Sequence, residues 1–472
     1  MAQDYPIIIA GEKKTTADKF EVKSPYDGKV VATTYNASME DFNYALNKGV
    51  EAFETLKQSG AAEKAAILGN VVLGLKDRAE DFAKMIALEA GKPITDARTE
   101  VKRAILTFEI AIEEAVRLGN PEHIAPRLLE GAPKKTGLIK RFPVGIVYAI
   151  TPFNFPLNLV SHKVAPAMAA GNPLLIKPSP KTPITALMLA DVMLEAGWPK
   201  GALTVACCSN DIAGRLAEDE RVKKFTFTGS AAVGWELKKR ANKKKVTLEL
   251  GGNAGVIVDD GADIDFAVKR SVLGGFAFAG QVCISVQRIF VHKNIFAEFR
   301  DKLVKGVNAL KAGDPLDEST QIGPMIERAA IERTLKLVEE AVKEGATLLC
   351  GGIAEGSILK PTIVTNVKPR MKVCTDELFA PVVTLAEFTD FKAAVDEVNN
   401  SHYGLQAGVF TTDESKISYA FETLDVGGVV VNDVPTFRAD NLPYGGLKDS
   451  GFGREGVRYA IEEMTEIKVL VR

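Results

Sequence analysis

The sequence predicts an α/β protein with two parallel-sheet units in tandem, and three observations carry that prediction. Residues 39–119 repeat apolar positions at mixed spacings of three and four (Ala45, Val50, Phe53, Ala65, Ile67, Val71, Leu73, Phe82, Ile86, Ala104, Phe108) among Glu and Lys, the period of helices with one buried face. From Pro143 onward the pattern becomes short apolar runs bounded by Pro and Gly, several of them separated by helical stretches such as ITALMLADVMLEAG (184–197). That is the alternation of strands and crossover helices. At 472 residues the chain is too long for one ordinary core, which suggests about three domains or subdomains.

Taken in order, the opening run MAQDYPIIIAGEKK has Asp4 before a very short apolar stretch and charges directly after it. It fits neither a signal peptide nor a membrane anchor, so a cytoplasmic protein is expected. The helical layer of 39–119 follows. Residues 120–142 (NPEHIAPRLLEGAPKKTGLIKRF) are polar and turn-rich, and on their own they and the C-terminal EEMTEIKVLVR (462–472) suggest edge strands. The first strand series is PVGIVYAIT (143–151), NPLLIKP (172–178), ALTVACC (202–208), KKFTFTG (223–229), VTLEL (246–250) and AGVIVDD (254–260). A second series follows Cys283, with QRIFVH (287–292), ATLLCGG (346–352), YGLQAGVFT (403–411) and GGVVVND (427–433).

Hydrophobic content of 46% and charged content of 25% are those of a globular chain, and a net charge of −2 makes no electrostatic case for nucleic acid or an anionic membrane. The basic cluster Lys238-Lys239-Arg240 and Lys243-Lys244-Lys245 falls where the helix after GSAAVG should end, and cations suit that end of a helix dipole. The five cysteines (207, 208, 283, 350, 374) form an odd set without CxxC spacing or His partners. They support neither a disulfide framework nor a zinc site, no metal is expected, and reduced thiols are.

Two segments suggest chemistry when taken together. Cys283 stands in FAFAGQVCISVQRIFV (276–291) among small and apolar neighbours, and Glu249 ends the β-rich run of VTLELGGN (246–253) beside a glycine pair. Alone, such a cysteine is more often a small buried hydrophobe and such a glutamate a solvated charge. As a pair they offer a thiol nucleophile and a carboxylate that can activate water. In FTFTGSAAVG (225–234) a strand is followed by Gly229, Ser230 and a helix start containing Gly234, and the N–H groups of a helix N-terminus attract phosphate, although the spacing is not GxGxxG. Asn154 lies in TPFNFP, read as an extended segment stiffened by prolines, where an amide can stabilise an oxyanion or simply cap a turn. Lys177 follows LLI at what reads as an exposed strand end.

These segments occur in one order with ITPFNFPLN (150–158), LLIKPSPKTP (174–183), ELFAPVV (377–383) and PYGGLKDSGFGREG (443–456), and the set resembles the aldehyde dehydrogenase superfamily over essentially the whole chain. The resemblance implies the fold of that family: two Rossmann-like parallel-sheet domains plus a small β oligomerisation arm. The dinucleotide-binding domain would comprise 1–119 and 143–250, the catalytic domain 251–440, and the arm and tail 120–142 and 458–472, the arm pairing with the tail in a homodimer or homotetramer. It also implies an NAD- or NADP-dependent enzyme in which Cys283 adds to an aldehyde, Asn154 and the Cys283 amide stabilise the oxyanion, hydride transfer leaves a thioester, and Glu249 activates the water that hydrolyses it. Cofactor contacts are implied at Ile150, Thr151, Phe153, Lys177, Ser179, Pro180, Gly229, Ser230, Gly234, Leu250, Glu377 and Phe379. Pro180 stands where NAD-preferring members often carry a Glu, which leaves NADP open.

For the substrate, Arg103 in EVKRAILTF and Arg438 in PTFRADNLPYGG fall where relatives acting on phosphorylated aldehydes place anion-binding arginines, yet Val282 replaces the Arg that such relatives carry before the cysteine. GQVCISV with FRADNLPYGG looks closest to the lactaldehyde dehydrogenase-like branch. Small hydroxyaldehydes therefore lead, with glyceraldehyde 3-phosphate or another anionic semialdehyde as the alternative. A coenzyme A-acylating relative and a non-catalytic relative are disfavoured by Glu249 and Cys283, respectively. His162 in SHKVAP is read as a helix-packing residue.

Overall fold

Met39–Leu56, Ala61–Asp77, Ala79–Ala90 and Ile94–Gly119 are the helices expected from the periodicity of residues 39–119. Ser38 and Asp41 form a reciprocal capping box that starts the first, and Gly91, at φ 70°, ends the third in the left-handed conformation that glycine adopts freely. Most of the apolar stripe is buried, but Val50 and Leu73 face solvent at 44% and 66% exposure, because a mixed three–four spacing places two stripes on one helix and only one meets the core. The computed structural model describes residues 3–127, 129–130 and 133–472; the expectations for positions 1, 2, 128, 131 and 132 lie outside the described residues.

The first sheet has eight strands in the order Gly451–Phe452, Lys245–Glu249, Val222–Thr228, Ile146–Ile150, Leu174–Lys177, Leu203–Val205, Ile7–Ile9, Glu12–Lys14, and the five from Lys245–Glu249 to Leu203–Val205 are parallel. Alternation along Ile146–Ile150 decides its packing. Val147 and Ala149 join the helices after residue 60, whereas Ile146, Tyr148 and Ile150 join Phe42 and Leu46 of the first helix and Phe225 and Phe227 of the neighbouring strand. The opening IIIA, read only as too short for an anchor, is a sheet strand antiparallel both to Leu203–Val205 and to the edge strand Glu12–Lys14.

The second sheet has seven strands in the order Thr347–Cys350, Thr362–Thr365, Val382–Phe388, Val286–His292, Ala254–Val258, Gln406–Phe410, Gly428–Val431, all parallel except the first pair. Thr362–Thr365 and Val382–Phe388 were not among the expected strands. Tyr403–Gly404, expected as the start of the strand that becomes Gln406–Phe410, pairs instead with Leu447–Lys448. The C-terminal Thr465–Val471 runs antiparallel to Gly137–Pro143, which also pairs with Glu122–Ile124, so arm and tail join within one chain. No helix among the described residues is long and apolar enough to cross a membrane.

The chain leaves the first sheet at Glu249 and enters the second at Ala254, so Leu250–Asn253 bridge the two units. In the first sheet, strand order reverses between Ile146–Ile150 and Val222–Thr228, and their carboxyl ends open a crevice. Ligands of doubly wound sheets bind at such switch points.

Candidate active site

Cys283 hangs on a loop whose backbone is forced into place. After the helix Ile264–Phe276, Phe278 and Ala279 take φ of 49° and 52°, and Gly280 follows at 68° with no room for a Cβ, which would lie 2.2 Å from the Ala380 carbonyl oxygen. Left-handed Phe and Ala are strained, and strain of this kind gathers at functional loops. Phe379 across the gap is left-handed as well, at 52°. The strand Val286–His292 then anchors the far end of the loop in the second sheet.

Gly251 and Gly252 allow a close approach of chain segments, not a left-handed turn. Neither has a positive φ; a Cβ on Gly251 would meet the Glu377 carboxylate at 2.2 Å and one on Gly252 the Cys283 carbonyl at 2.3 Å. Absence of a side chain is what lets the two units close on each other. The Gly252 N–H donates to Glu377 Oε1 at 3.0 Å, and burial lifts the Glu377 carboxyl to about 7.

Two cavities meet at the thiol, sharing Cys283 and Leu159. The first, about 270 Å³, is walled by Phe153, Asn154, Gly229, Ser230, Glu249, Leu250, Glu377 and Phe379, so eight expected site residues converge there with Cys283. Phe153 and Phe379 pack edge to face at 5.9 Å. Ser230 occupies the N-cap position of Ala231–Arg240 without making a capping bond, which leaves the N–H groups of the first turn available to an anion. Ile150 and Thr151 directly precede the wall at Pro152–Asn154 and Gly234 lies in the helix that Ser230 starts, whereas Lys177, Ser179 and Pro180 are remote in sequence from every lining residue; none of the six lines the cavity. Ser179 is half-buried and Pro180 exposed. Lys177 corrects an expectation: it is 6% exposed, because Ile146–Ile150 and Leu203–Val205 flank its strand on both sides and Thr151 N–H donates to its carbonyl at 3.2 Å.

The segment around Asn154 also departs from expectation, bending through 153–155 into the helix Asn158–Ala170 instead of running extended. Glu100 causes the bend, accepting from the N–H groups of Leu157 and Asn158 at 2.9 and 3.1 Å while Lys92 neutralises its other oxygen. Asn154 Nδ2 donates to the Gln281 carbonyl at 2.9 Å, which ties the amide to the loop of the thiol. The buried oxygens of Asn154, Thr151, Thr228 and Glu249 have no protein partner, a cluster of unmet polar atoms that suits a site built for a polar ligand. Glu249 is held protonated well above the ordinary carboxyl range, first by burial and then by the charge of Glu455. Burial pushes the Cys283 thiol up to about 11, against the opposing pull of the Tyr444 hydroxyl and Arg438.

The second cavity, about 230 Å³, opens on the other side of Cys283 and is lined by Lys92, Arg103, Phe278, Val282, Arg438 and Tyr444, among others. Beneath it lies a buried ionic network. Arg103 forms a two-pronged pair with Asp440 at 3.2 and 2.7 Å, His162 Nε2 lies 2.9 Å from the same carboxylate, and Lys163 bonds Glu455 at 2.8 Å and Thr226 Oγ1 at 2.9 Å. His162 is thus no mere helix-packing residue: burial and Arg438 hold its ring neutral, and it orients Asp440. Burial opposes ionisation of Asp440 and Glu455, but His162 with Arg103 and Lys163 with Arg438 pull both below the usual carboxylate range. Arg103 is therefore occupied. Arg438 is not: its side chain is 7% exposed, its nitrogens stop 3.6 Å from Asp440 and 3.5 Å from Glu455, and Nε and Nη2 have no hydrogen-bond partner. Lys163, Asp440, Tyr444 and Glu455 were not singled out beforehand, although the last two stand in the PYGGLKDSGFGREG run; nothing in a sequence separates a buried carboxylate from a solvated one.

Two doubly wound sheets closing over a thiol and a carboxylic acid form the architecture of a nucleotide-dependent α/β oxidoreductase. Residues 12–470 match the model of the aldehyde dehydrogenase family, and the chain belongs to that family as an NAD(P)-dependent enzyme. It is 44% identical over 474 residues to the 3-sulfolactaldehyde dehydrogenase of Priestia aryabhattai, covering 99% of this chain and 98% of that one. It is 39% identical to the lactaldehyde dehydrogenase of Methanococcus aeolicus, covering 98% and 99%. The crystal structure of aldehyde dehydrogenase 21 from Physcomitrella patens in complex with the reaction product succinate superposes with a TM-score of 0.98 at 43% identity, covering 100% of this chain and 98% of that one.

Proposed function

We propose that this enzyme oxidises a short aldehyde carrying an anionic group at its far end, with or without a hydroxyl between, to the carboxylic acid. The observation that carries the proposal is Arg438, a buried guanidinium with two unpaired N–H groups on the cavity that Cys283 faces. With Glu249 protonated and His162 neutral, the network of Arg103, Lys163, Arg438, Asp440 and Glu455 holds three cations against two carboxylates, a surplus of one positive charge. A buried surplus charge is expensive unless a ligand neutralises it. The names of two relatives agree, one acting on a sulfonated hydroxyaldehyde and one holding succinate. Arg103 braces Asp440 in this reading and does not grip the substrate itself.

Cys283 supplies the thiolate that attacks the aldehyde carbon, Asn154 an amide donor for the oxyanion, and Glu249 the base for the water that releases the acid. A nicotinamide nucleotide, when bound, would supply the hydride acceptor. Phe153 and Phe379 would wall its ring, Glu377 would hold its ribose, and Gly229 and Ser230 would receive its phosphates, with Ile150, Thr151, Lys177, Ser179, Pro180, Gly234 and Leu250 as the supporting strand ends and turn. Residues 1–119 and 143–250 would make up the half that binds the nucleotide, residues 251–440 the catalytic half, and 120–142 with 458–472 the arm of a homodimer or homotetramer. The exposed Ile467, Val469 and Val471 on the tail strand support that last role.

The test is kcat/KM for glyceraldehyde 3-phosphate, succinic semialdehyde and lactaldehyde in wild type and Arg438→Leu. Loss of a charged hydrogen bond predicts a fall of about 10- to 100-fold for the two anionic aldehydes and little change for lactaldehyde. An equal loss for all three would reassign Arg438 to bracing the loop and restore a neutral hydroxyaldehyde as the substrate.

A further inference from the structure

Among the described residues, the Tyr444 side chain joins the anion-facing arginine to the reacting sulfur. Its hydroxyl lies 3.4 Å from Cys283 Sγ, and the Arg438 guanidinium lies 3.8 Å over its ring. The residue is 5% exposed and packs with Ile284, Leu405, Val282 and Cys283. Its backbone is pinned from both directions, Tyr444 N–H donating to the Glu455 carbonyl at 2.9 Å and Glu455 N–H to the Tyr444 carbonyl at 2.6 Å. A phenylalanine would fill the same wall and keep the same stacking with Arg438. The hydroxyl is surplus to packing, and it touches the nucleophile.

We propose that Tyr444 is a catalytic residue whose O–H donates a hydrogen bond to Cys283 Sγ, stabilising the thiolate before attack and again when the thioester is hydrolysed. The proposal rests on Cys283 being the nucleophile. In the attack, an electron pair on Sγ forms the C–S bond and the carbonyl pair moves to oxygen. In hydrolysis, water adds to the thioester carbon, the C–S bond breaks, and its electron pair returns to sulfur. The phenol keeps its proton throughout: burial and the neighbouring sulfur hold it well above the ordinary tyrosine range, so beside a thiolate it can only donate. A cation over the ring face draws electron density from the ring and makes the O–H a better donor. The thiol needs such help, because burial alone would leave it un-ionised at neutral pH.

The experiment is the rate of iodoacetamide alkylation of Cys283 as a function of pH, in the full-length protein, with the modified residue located by peptide mass spectrometry. Tyr444→Phe should move the midpoint of the profile up by about 1 pH unit or more and slow alkylation below the midpoint about tenfold, on the usual strength of a hydrogen bond to a charged group. Placing 3-fluorotyrosine at position 444 strengthens the donor without removing it, and should move the midpoint down. An unchanged midpoint in both variants, or a fall in Tyr444→Phe, overturns the proposal; if Tyr444→Phe fails to fold, the fluorinated protein decides alone. Failure of the underlying reading looks different, with Cys283→Ala still turning over and alkylation mapping to another cysteine.

Discussion

The two cavities that meet at Cys283 are built on opposite electrostatic plans. On the crevice side Glu249 and Glu377 are both pushed toward their neutral forms by burial, and the other walls are uncharged: aromatic, aliphatic, hydroxyl and amide. On the other side Arg103, Lys163, Asp440 and Glu455 are charged and paired, with one cation over, Arg438. The contrast teaches that burial does not decide charge state by itself. Asp440 and Glu455 are buried as deeply as Glu249, yet stay ionised because guanidinium and ammonium groups stand beside them. A neutral acid can become a base when a proton has somewhere to go, whereas a surplus guanidinium waits for an anion.

The sharpest test of the shared thiol is substitution of each cysteine by alanine. Cys283→Ala should lower turnover by at least about 10³-fold, while the same change at 207, 208, 350 and 374 should leave it within a few fold. Burial lifts the Cys207 thiol to about 12 and Cys208 and Cys374 to about 11, with no hydroxyl like that of Tyr444 poised on Cys207 or Cys208. Full activity in Cys283→Ala would end the mechanism.

Glu249→Gln should cut the steady-state rate about 10²- to 10³-fold yet keep the first turnover, seen as a burst of reduced cofactor in stopped flow. Because the folded carboxyl is raised, wild-type deacylation should speed up as pH climbs toward that value, and the glutamine variant should lose this dependence. A slowed burst would instead assign Glu249 to activating the thiol.

A smaller effect separates the same walls by stability. Glu377 titrates at about 7 in the folded protein against an ordinary 4.5, so the stability it confers is fully present below the lower value and is lost as pH rises through the higher one. Glu377→Gln should flatten the decline of Tm between pH 5 and 8, and an unchanged slope would show that the carboxylate is solvated when charged. Smallest of all, Pro180→Glu should shift the ratio of kcat/KM with NAD to that with NADP toward NAD by roughly tenfold, through repulsion of the 2′-phosphate. No shift would mean that another residue selects the nucleotide.

The legible part of this molecule was periodic. Helices between 39 and 119 and the strands beginning at Ile146 or Ala254 announce themselves by spacing, and the residues around the thiol by their resemblance to a family. Val382–Phe388, a central strand, shares Val382 and Val383 with the ELFAPVV motif, which masks its start. Lys177 ends a strand, a position that is usually open, and only the neighbouring strands on both sides close it. The network under Arg438 draws on residues 103, 162, 163, 438, 440 and 455, which no local pattern connects.

Anyone reshaping this enzyme for another aldehyde inherits a constraint from the seam at Gly251, Gly252 and Gly280. A methyl group at Gly252 or Gly280 would collide with a backbone carbonyl 2.3 or 2.2 Å away, and one at Gly251 would have to displace the Glu377 carboxylate. Laboratory evolution should therefore find these positions silent, however large the library, and collect its useful changes around the anion-facing cavity, where side chains and not backbone set the boundary. The seam is a hard stop, and tolerance of new substrates will grow from one side only.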